Sequence, residues 1–463
     1  MLLAREGLPF IKDYITALNE SMNKIRPGTV LSNVQCVWLR FVLMGLIVTN
    51  SLCWERFERF GLGEYRAPAL CWMFRRAKIA WEIILQASVM YIIESYGIKS
   101  GILVIDDTDN ERSKNTTEIA KVHKIKDKRS GGFFNGQNII LLLLVSDELT
   151  IPVGFKFYEP DPAKRSWHKE DKRLRQKGVE KQYRPKKPEY DPAYPTKKEL
   201  ALELIKEFSD SYKTVKIKAV AADALYGIKE FMKGAAEYTR QSQVISQIAK
   251  TQLINVNGKY TAIGKFFENY NGKTEEVELR NHSKKISYCS AKFKVKSHDG
   301  KYYIIALKYE GETEYRYLIA SDMSWRDIDI IKAYSTRWLV EVFFEDWKSY
   351  EGWYQLAKQQ GIEGSNRGLI LSLLCDHMLY FHNGQLTQFK NKEQAVTVGS
   401  LREKIIMESL IVFIEQIVKS DNPKELLEIM ADQISSLFQL RLSIKHLRKF
   451  DTPHDNQQET CML

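Results

Sequence analysis

Ser100-Gly-Ile-Leu-Val-Ile-Asp-Asp-Thr108 is an apolar run that ends in two adjacent acids. A short continuous apolar run of this kind reads as a buried strand, and the acids mark where it leaves the core. Downstream, Asn138 to Val145 is unbroken apolar sequence, Ser146 to Glu148 is a turn, and Ile151 to Tyr158 alternates before Glu159-Pro160. That pattern predicts a β-hairpin. Lys198 to Phe208 carries helical periodicity, and Val215 to Ala222 is a second strand ending at an acid, Asp223. Ile228 to Tyr238 then predicts a helix and Gln243 to Ala249 another strand.

Strand, hairpin, helix, strand, helix, strand is the element order of an α/β, RNase H-like core of the retroviral integrase superfamily. The sequence places that core at 97–252 and 321–385. Around it lie a helical N-terminal region (1–96), a β-rich insertion (253–320), a C-terminal helical region (386–450) and a disordered tail (451–463). Within the N-terminal region, the helix Trp54 to Phe60, the break Gly61-Leu-Gly63 and the helix from Pro68 to Arg76 are compatible with helix-turn-helix DNA binding. The stretch Pro160 to Pro195 is charged, proline-rich and poor in apolar residues, which predicts a mobile loop or arm. Its Lys164, Arg165, Lys172, Arg173, Arg175 and Lys177, interleaved with Trp167 and Tyr183, suit a DNA backbone and equally a solvated face. The insertion is too long for a loop, so it should fold as a β subdomain.

A third acid comes from Ile330 to Tyr350, which reads as one helix. Tyr334, Arg337, Glu341 and Lys348 fall within an arc of roughly 60° on it. The remaining positions are mostly apolar, so the helix should be buried with this stripe facing a polar cleft. Taken alone, the stripe has two readings: an internal ion-pair network, with Glu341 on Arg337, or a site for a charged ligand. Glu345 lies within the same arc and competes with Glu341 on geometry alone.

Composition bounds the function. The chain has 463 residues, 69 Lys+Arg against 58 Asp+Glu and a formal net charge of +11, which favours a polyanionic partner. Its six cysteines show no zinc-type spacing, so reduced thiols in a cytosol are expected. The longest apolar run, Phe41 to Val48, is too short to span a bilayer, and a cytoplasmic protein with no membrane contact is expected.

Tyr334-x2-Arg337-x3-Glu341-x6-Lys348 resembles the YREK signature of bacterial insertion-sequence transposases of the DDE class, in the branch that includes the insertion-sequence-four type. The resemblance runs from about Lys99 to Tyr380. It implies that Glu341 is the third catalytic acid, and that Tyr334, Arg337 and Lys348 handle phosphates of the element's ends. The family's Asp-x-Thr pattern fits Asp106-Asp107-Thr108 and assigns Asp106, leaving Asp107 to bond locally or face solvent. Its Asp-x-x-Tyr pattern fits Asp223 and Tyr226. Asp127 to Gly131 and Gly136-x-Asn138 also resemble stretches beside the family's active site. Some members hold a flipped base on a tryptophan; Trp325 and Trp353 match no fixed offset.

Asp106, Asp223 and Glu341 would then hold two Mg2+ (or Mn2+) ions for phosphodiester cleavage. Partners would be double-stranded DNA, as terminal inverted repeats and target, and a second copy of the chain in a working homodimer. Two rivals stay open at this stage: a metal-dependent nuclease of the same fold without strand transfer, and a domesticated, non-catalytic DNA-binding protein.

Overall fold

The computed structural model describes residues 7–113, 116–127, 130–270, 272–279, 282–352 and 359–438. Helices come first: α1 (Pro9–Ile25), α2 (Asn33–Thr49), α3 (Trp54–Phe60), α4 (Ala67–Arg76) and α5 (Trp81–Ser95). Ser32 opens α2 with a capping box to Gln35, and Asn50 closes it in a left-handed conformation. Phe41, Phe57, Phe74 and Trp81 are buried between these helices. The two arginines that end α4 point toward the body of the protein in one case: Arg75 Nη2 donates to Gln360 Oε1 at 3.0 Å.

A mixed sheet follows. Its strands are β1 (Ser100–Arg112), β2 (His123–Lys126), β3 (Phe133–Val145), β4 (Thr150–Tyr158), β5 (Lys216–Ala222), β6 (Gln243–Gln247), β7 (Leu253–Val256), β8 (Lys259–Ala262), β9 (Lys273–Leu279), β10 (His282–Val295), β11 (Gly300–Tyr309) and β12 (Arg316–Ala320). Strand β1 is antiparallel to β3, which is antiparallel to β4, while β1, β5 and β6 run parallel. Helix α7 (Lys197–Ser211) makes the crossover from β4 to β5, and α8 (Lys229–Tyr238) that from β5 to β6. Both faces of β1 and β3 are covered, which is why these strands read as continuous apolar runs.

Three expectations need correction. The segment 253–320 is β-rich and holds the short helix α9 (Ile263–Phe267), but does not stand apart: β12 pairs antiparallel with β6, so the sheet runs on through β12, β11, β10, β7 and β8. A bare β6 would expose a row of unpaired backbone groups, and β12 covers that edge. The stretch 160–195 holds a helix, α6 (Pro162–Gln176), with every residue half-buried or exposed. Asp161 caps it from Ala163 N and Lys164 N, and Pro162 starts its first turn. With no apolar stripe to reveal it, the helix is stabilised by its cap and by pairs such as Glu170–Arg173. Trp167 Nε1 donates to Pro185 O at 2.7 Å, and Arg184 pairs with Asp171 at 3.0 Å, so the returning segment is pinned to the helix.

The third correction concerns 330–350, which is two helices: α10 (Asp327–Ser335) and α11 (Trp338–Tyr350). Ser335 Oγ bonds back to Lys332 O and Thr336 Oγ1 to Ala333 O, both at 2.7 Å. Such hydroxyls compete with the helical ladder, and the chain breaks at Thr336–Arg337. Nor is α11 buried all round: Trp338 is 42% exposed, while Val340, Phe343, Phe344 and Trp347 are inside. Beyond residue 359 come α12 (Gly361–Leu379), α13 (Asn383–Lys390), α14 (Val398–Val418) and α15 (Pro423–Leu437). Residues 439–450 of the expected C-terminal helical region and the tail 451–463 lie outside the described residues. Among the described residues, no single helix is long and apolar enough to cross a membrane.

Candidate active site

Strands β1 and β5 bring two acids side by side. Their parallel register pairs Ile105 with Ala222, and Asp106 and Asp223 are the next residues on each. Asp106 Oδ1 accepts from the Asp107 N–H at 2.8 Å, and its Oδ2 accepts from Arg337 Nη1 at 2.9 Å. Arg337 Nη2 reaches the other way, to Glu341 Oε1 at 2.5 Å. One guanidinium at the α10–α11 junction thus links the strand acid to the helix acid. The break in the helix is what lets it: Arg337 sits at the N-cap of α11, with Tyr334 in the last turn of α10.

Electrostatics in this corner are strained. Burial pushes the Asp106 carboxyl up to about 7, and the nearby charge of Asp223 adds to the shift against the Asp107 N–H and Arg337. Burial works against the charge of Arg337 as well, yet Tyr334, Glu341 and Asp106 together leave its pKa raised. Burial raises Tyr334 too, whose hydroxyl lies beside Arg337 and Gln247 without a well-formed hydrogen bond among the described residues.

Asp223 closes β5 and caps a single 3-10 turn, Ala224–Tyr226, its Oδ1 accepting from Leu225 N at 2.9 Å. Ser246 Oγ on β6 donates to Asp223 O at 2.5 Å. The following Gly227 lies so close to β6 that a Cβ would meet Gln247 O at 2.1 Å. Tyr226 is fully buried and its hydroxyl has no hydrogen-bond partner among the described residues. Burial, then the charges of Asp107, Asp106 and Asp223, push this phenol far upward. The phenol stays neutral near the acids.

Asp107 points to the other face of β1. Its Oδ2 accepts from Asn138 Nδ2 and from Lys197 Nζ, each at 2.7 Å, and the same Asn138 amide reaches Asp109 Oδ1 at 2.5 Å. The expectation that Asp107 bonds only locally or faces solvent is therefore corrected: its cation comes from the first turn of α7, far along the chain. Nothing in the charged run around Lys197 signals this; only the crossover of α7 brings it there.

Asp106, Asp223, Tyr334, Arg337 and Glu341 come together. Lys348 does not join the Arg337 contacts: it is about 16 Å from Arg337 along the helix at 1.5 Å per residue, and its Nζ lies over the Phe344 ring at 5.8 Å. Arg337 takes Asp106 and Glu341 as partners. Trp325 packs on the core beneath the inserted strands. Trp353, Lys128 and Arg129 lie outside the described residues.

A metal fit can be judged from these donors. Asp106 and Asp223 suit a hard divalent cation, since its charge would relieve their repulsion. Among the described residues, however, no three acids, histidines or cysteines are disposed as a ready ligand set. Glu341, half exposed and tied to Arg337, would have to turn inward to complete one.

No family model matches the chain, and no curated protein matches it. Among solved structures, the cryo-EM piggyBac transposase synaptic complex with hairpin DNA aligns over 96% of this chain and 87% of its own, at 10% identity and a TM-score of 0.42. The NurA nuclease from Sulfolobus solfataricus aligns over 66% of this chain and 84% of its own, at 11% identity and a TM-score of 0.23. Likenesses this distant carry no weight for ancestry or activity.

Proposed function

We propose that this chain is a DDE-type transposase with an RNase H-like core, which cleaves DNA at the ends of a mobile element and joins the freed 3′-hydroxyl to target DNA. The observation that carries this is the meeting of Asp106 and Asp223, from adjacent parallel strands, with Arg337 and Glu341 from a helix far along the chain. The strand order β4-β3-β1-β5-β6, with a helical crossover on each side of β5, supports the core assignment.

Asp106, Asp223 and Glu341 would hold two Mg2+ or Mn2+ ions, which when bound supply an activated water and neutralise charge on the attacking and leaving oxygens. The chain's own groups do the rest. Arg337 holds Asp106 and Glu341 in the DNA-free protein and would turn to a phosphate oxygen as the backbone enters, releasing both carboxylates. Tyr334, whose hydroxyl lies beside that guanidinium, would meet the same phosphate. Tyr226, neutral and buried, would donate to whichever acid oxygen comes to lie above it and fix its orientation. Lys348 would meet a phosphate further along the duplex, and the basic face of α6 (Lys164, Arg165, Lys172, Arg175) would follow the backbone. Holding two ends together for transfer favours a homodimer in the working complex.

A terminal-repeat duplex incubated with a supercoiled plasmid and Mg2+ tests the proposal. Joined products support it. Cleavage without joining would assign a nuclease of the same fold instead, and binding without either would assign a non-catalytic DNA-binding protein.

A further inference from the structure

Helices α14 and α15 carry apolar side chains that the rest of the described chain does not cover. Between residues 410 and 438, the second half of α14 and all of α15, lie thirteen Leu, Ile, Val and Phe residues, and none of them is buried. In that stretch Met430 alone is inside. Ordering two helices costs conformational entropy that burial of their apolar faces has to offset. Soluble proteins rarely leave a continuous apolar patch above a few hundred Å2 in water. This face calls for a cover.

The pattern of α14 selects the cover. Met407, Ile411, Ile414 and Val418 are each 51–69% exposed, and their steps of four, three and four make one heptad stripe. Turned about a two-fold axis between 412 and 413, the stripe falls on itself: Ile411 meets the partner subunit's Ile414, and Met407 the partner subunit's Val418. The charges at its ends agree. Lys404 stands three residues before the stripe and Asp421 three after it, so the two-fold sets opposite charges together at both ends. A parallel pair would set lysine on lysine and aspartate on aspartate. Glu408 and Glu415 flank the stripe but already hold His382 at 3.0 Å and Lys419 at 2.9 Å. Helix α15, packed on α14, bares Leu427, Ile434 and Phe438, which extends the apolar surface toward the roughly 800 Å2 that each partner contributes to a standard interface. DNA does not suit this surface: five acids stand against two lysines between 410 and 438.

We propose that α14 packs antiparallel on α14 of a second copy of this chain, across a two-fold axis near residues 412 and 413, and that the DNA-free protein is therefore a dimer. Ile411 and Ile414 form the centre of the interface, and Lys404 with the partner subunit's Asp421 fixes its direction. The proposal goes beyond the homodimer inferred for the working complex, because it names the surface and requires neither DNA nor metal.

Sedimentation equilibrium of the full chain without DNA tests it. The expected result is a reversible monomer–dimer equilibrium in the micromolar range. Ile411→Asp changes an exposed side chain, so folding should survive, while two carboxylates forced into each interface should weaken association about 100-fold. Lys404→Glu and Asp421→Lys should each weaken it by about threefold, and the two together should restore it. If Ile411→Asp fails to fold, this charge exchange decides alone. A wild type that stays monomeric at tens of micromolar overturns the proposal. So does a dimer that Ile411→Asp leaves unchanged, or a charge exchange that restores nothing. Removal of residues 439–463 that turns a monomeric wild type into a dimer would make that segment the cover instead, and would overturn it too. Loss of the interface on any of these results leaves the DNA chemistry above untouched, since cleavage and joining have their own assay.

Discussion

Arg337 bridges Asp106 and Glu341, with Nη1 2.9 Å from Asp106 Oδ2 and Nη2 2.5 Å from Glu341 Oε1. The Asp106 and Arg337 side chains are 15% and 18% exposed, so this half of the bridge is shielded from water, whereas Glu341 is 50% exposed and free to swing. The ion-pair reading and the ligand reading of the stripe thus meet in one residue. The same guanidinium that satisfies the acids in the free protein is placed to exchange them for phosphate.

Replacing Arg337 should expose that dual role. Arg337→Gln leaves a buried carboxyl without its cation, for a loss of about 1–3 kcal/mol of stability. The same variant should flatten the salt dependence of DNA binding by about one unit on a log–log plot, as one phosphate contact is lost. Urea unfolding and salt-dependent binding check the two effects separately. Loss of stability with an unchanged salt slope would leave Arg337 as a structural ion pair only.

Glu341 and Glu345 can be told apart by activity. Glu341→Gln should lower Mg2+-dependent nicking of an end duplex by orders of magnitude while binding survives. Glu345→Gln should cut normally. The reverse pattern would move the third acid by one helical turn.

Asp106→Asn should abolish cleavage. Asp107→Asn should keep it, at a cost of about 1 kcal/mol from its hydrogen bonds to Lys197 and Asn138. Lys197→Met should reproduce the Asp107 effect, which a double-mutant cycle in urea unfolding would reveal as coupling. An inactive Asp107→Asn beside an active Asp106→Asn would show the register to be off by one.

Gly227→Ala probes the scaffold under Asp223. The glycine has an ordinary negative φ of −74°, so space rather than backbone freedom is at issue. With Gln247 O only 2.1 Å from the new Cβ, β6 or the turn must shift. Overpacking of this kind costs about 1–3 kcal/mol. Cleavage should fall further than stability alone explains, because the shift carries Asp223 with it; a variant fully active when folded would refute that coupling.

The buried Asp376–Glu351 pair gives a pH dependence. Burial, then the charge of Asp346, raise the Asp376 carboxyl to about 8 against its bond with Glu351. A raised acid contributes stability that is present below about pH 4 and lost as pH rises through 8. His377, lowered to about 4 by burial, acts in the opposite sense between there and about 6.5. Above pH 7 its contribution is constant, so the Tm of wild type should fall between pH 7 and 9 relative to Asp376→Asn. Parallel Tm curves would mean that the pair is already ionised, or already compensated, in the folded protein.

The sequence alone determined the local elements and the order of the sheet's first strands. Apolar runs such as Ile102–Ile105 and Asn138–Val145, bounded by turn signals, read as covered strands, whereas the continuation of β1 through Asp106 to Arg112 along β3 carries no apolar signal. Periodicity could not find α6, whose helix rests on a cap and ion pairs rather than on an apolar face. Nor could it find the break at Thr336, where two hydroxyls turn back on the chain. Tertiary structure decided what depends on residues far apart meeting: β12 closing the edge of β6, Lys197 neutralising Asp107, and Arg337 choosing Asp106. The physical reason is one of range. Propensity and period act over a few residues, whereas a buried charge takes whichever partner the packing of the whole chain brings within hydrogen-bonding distance.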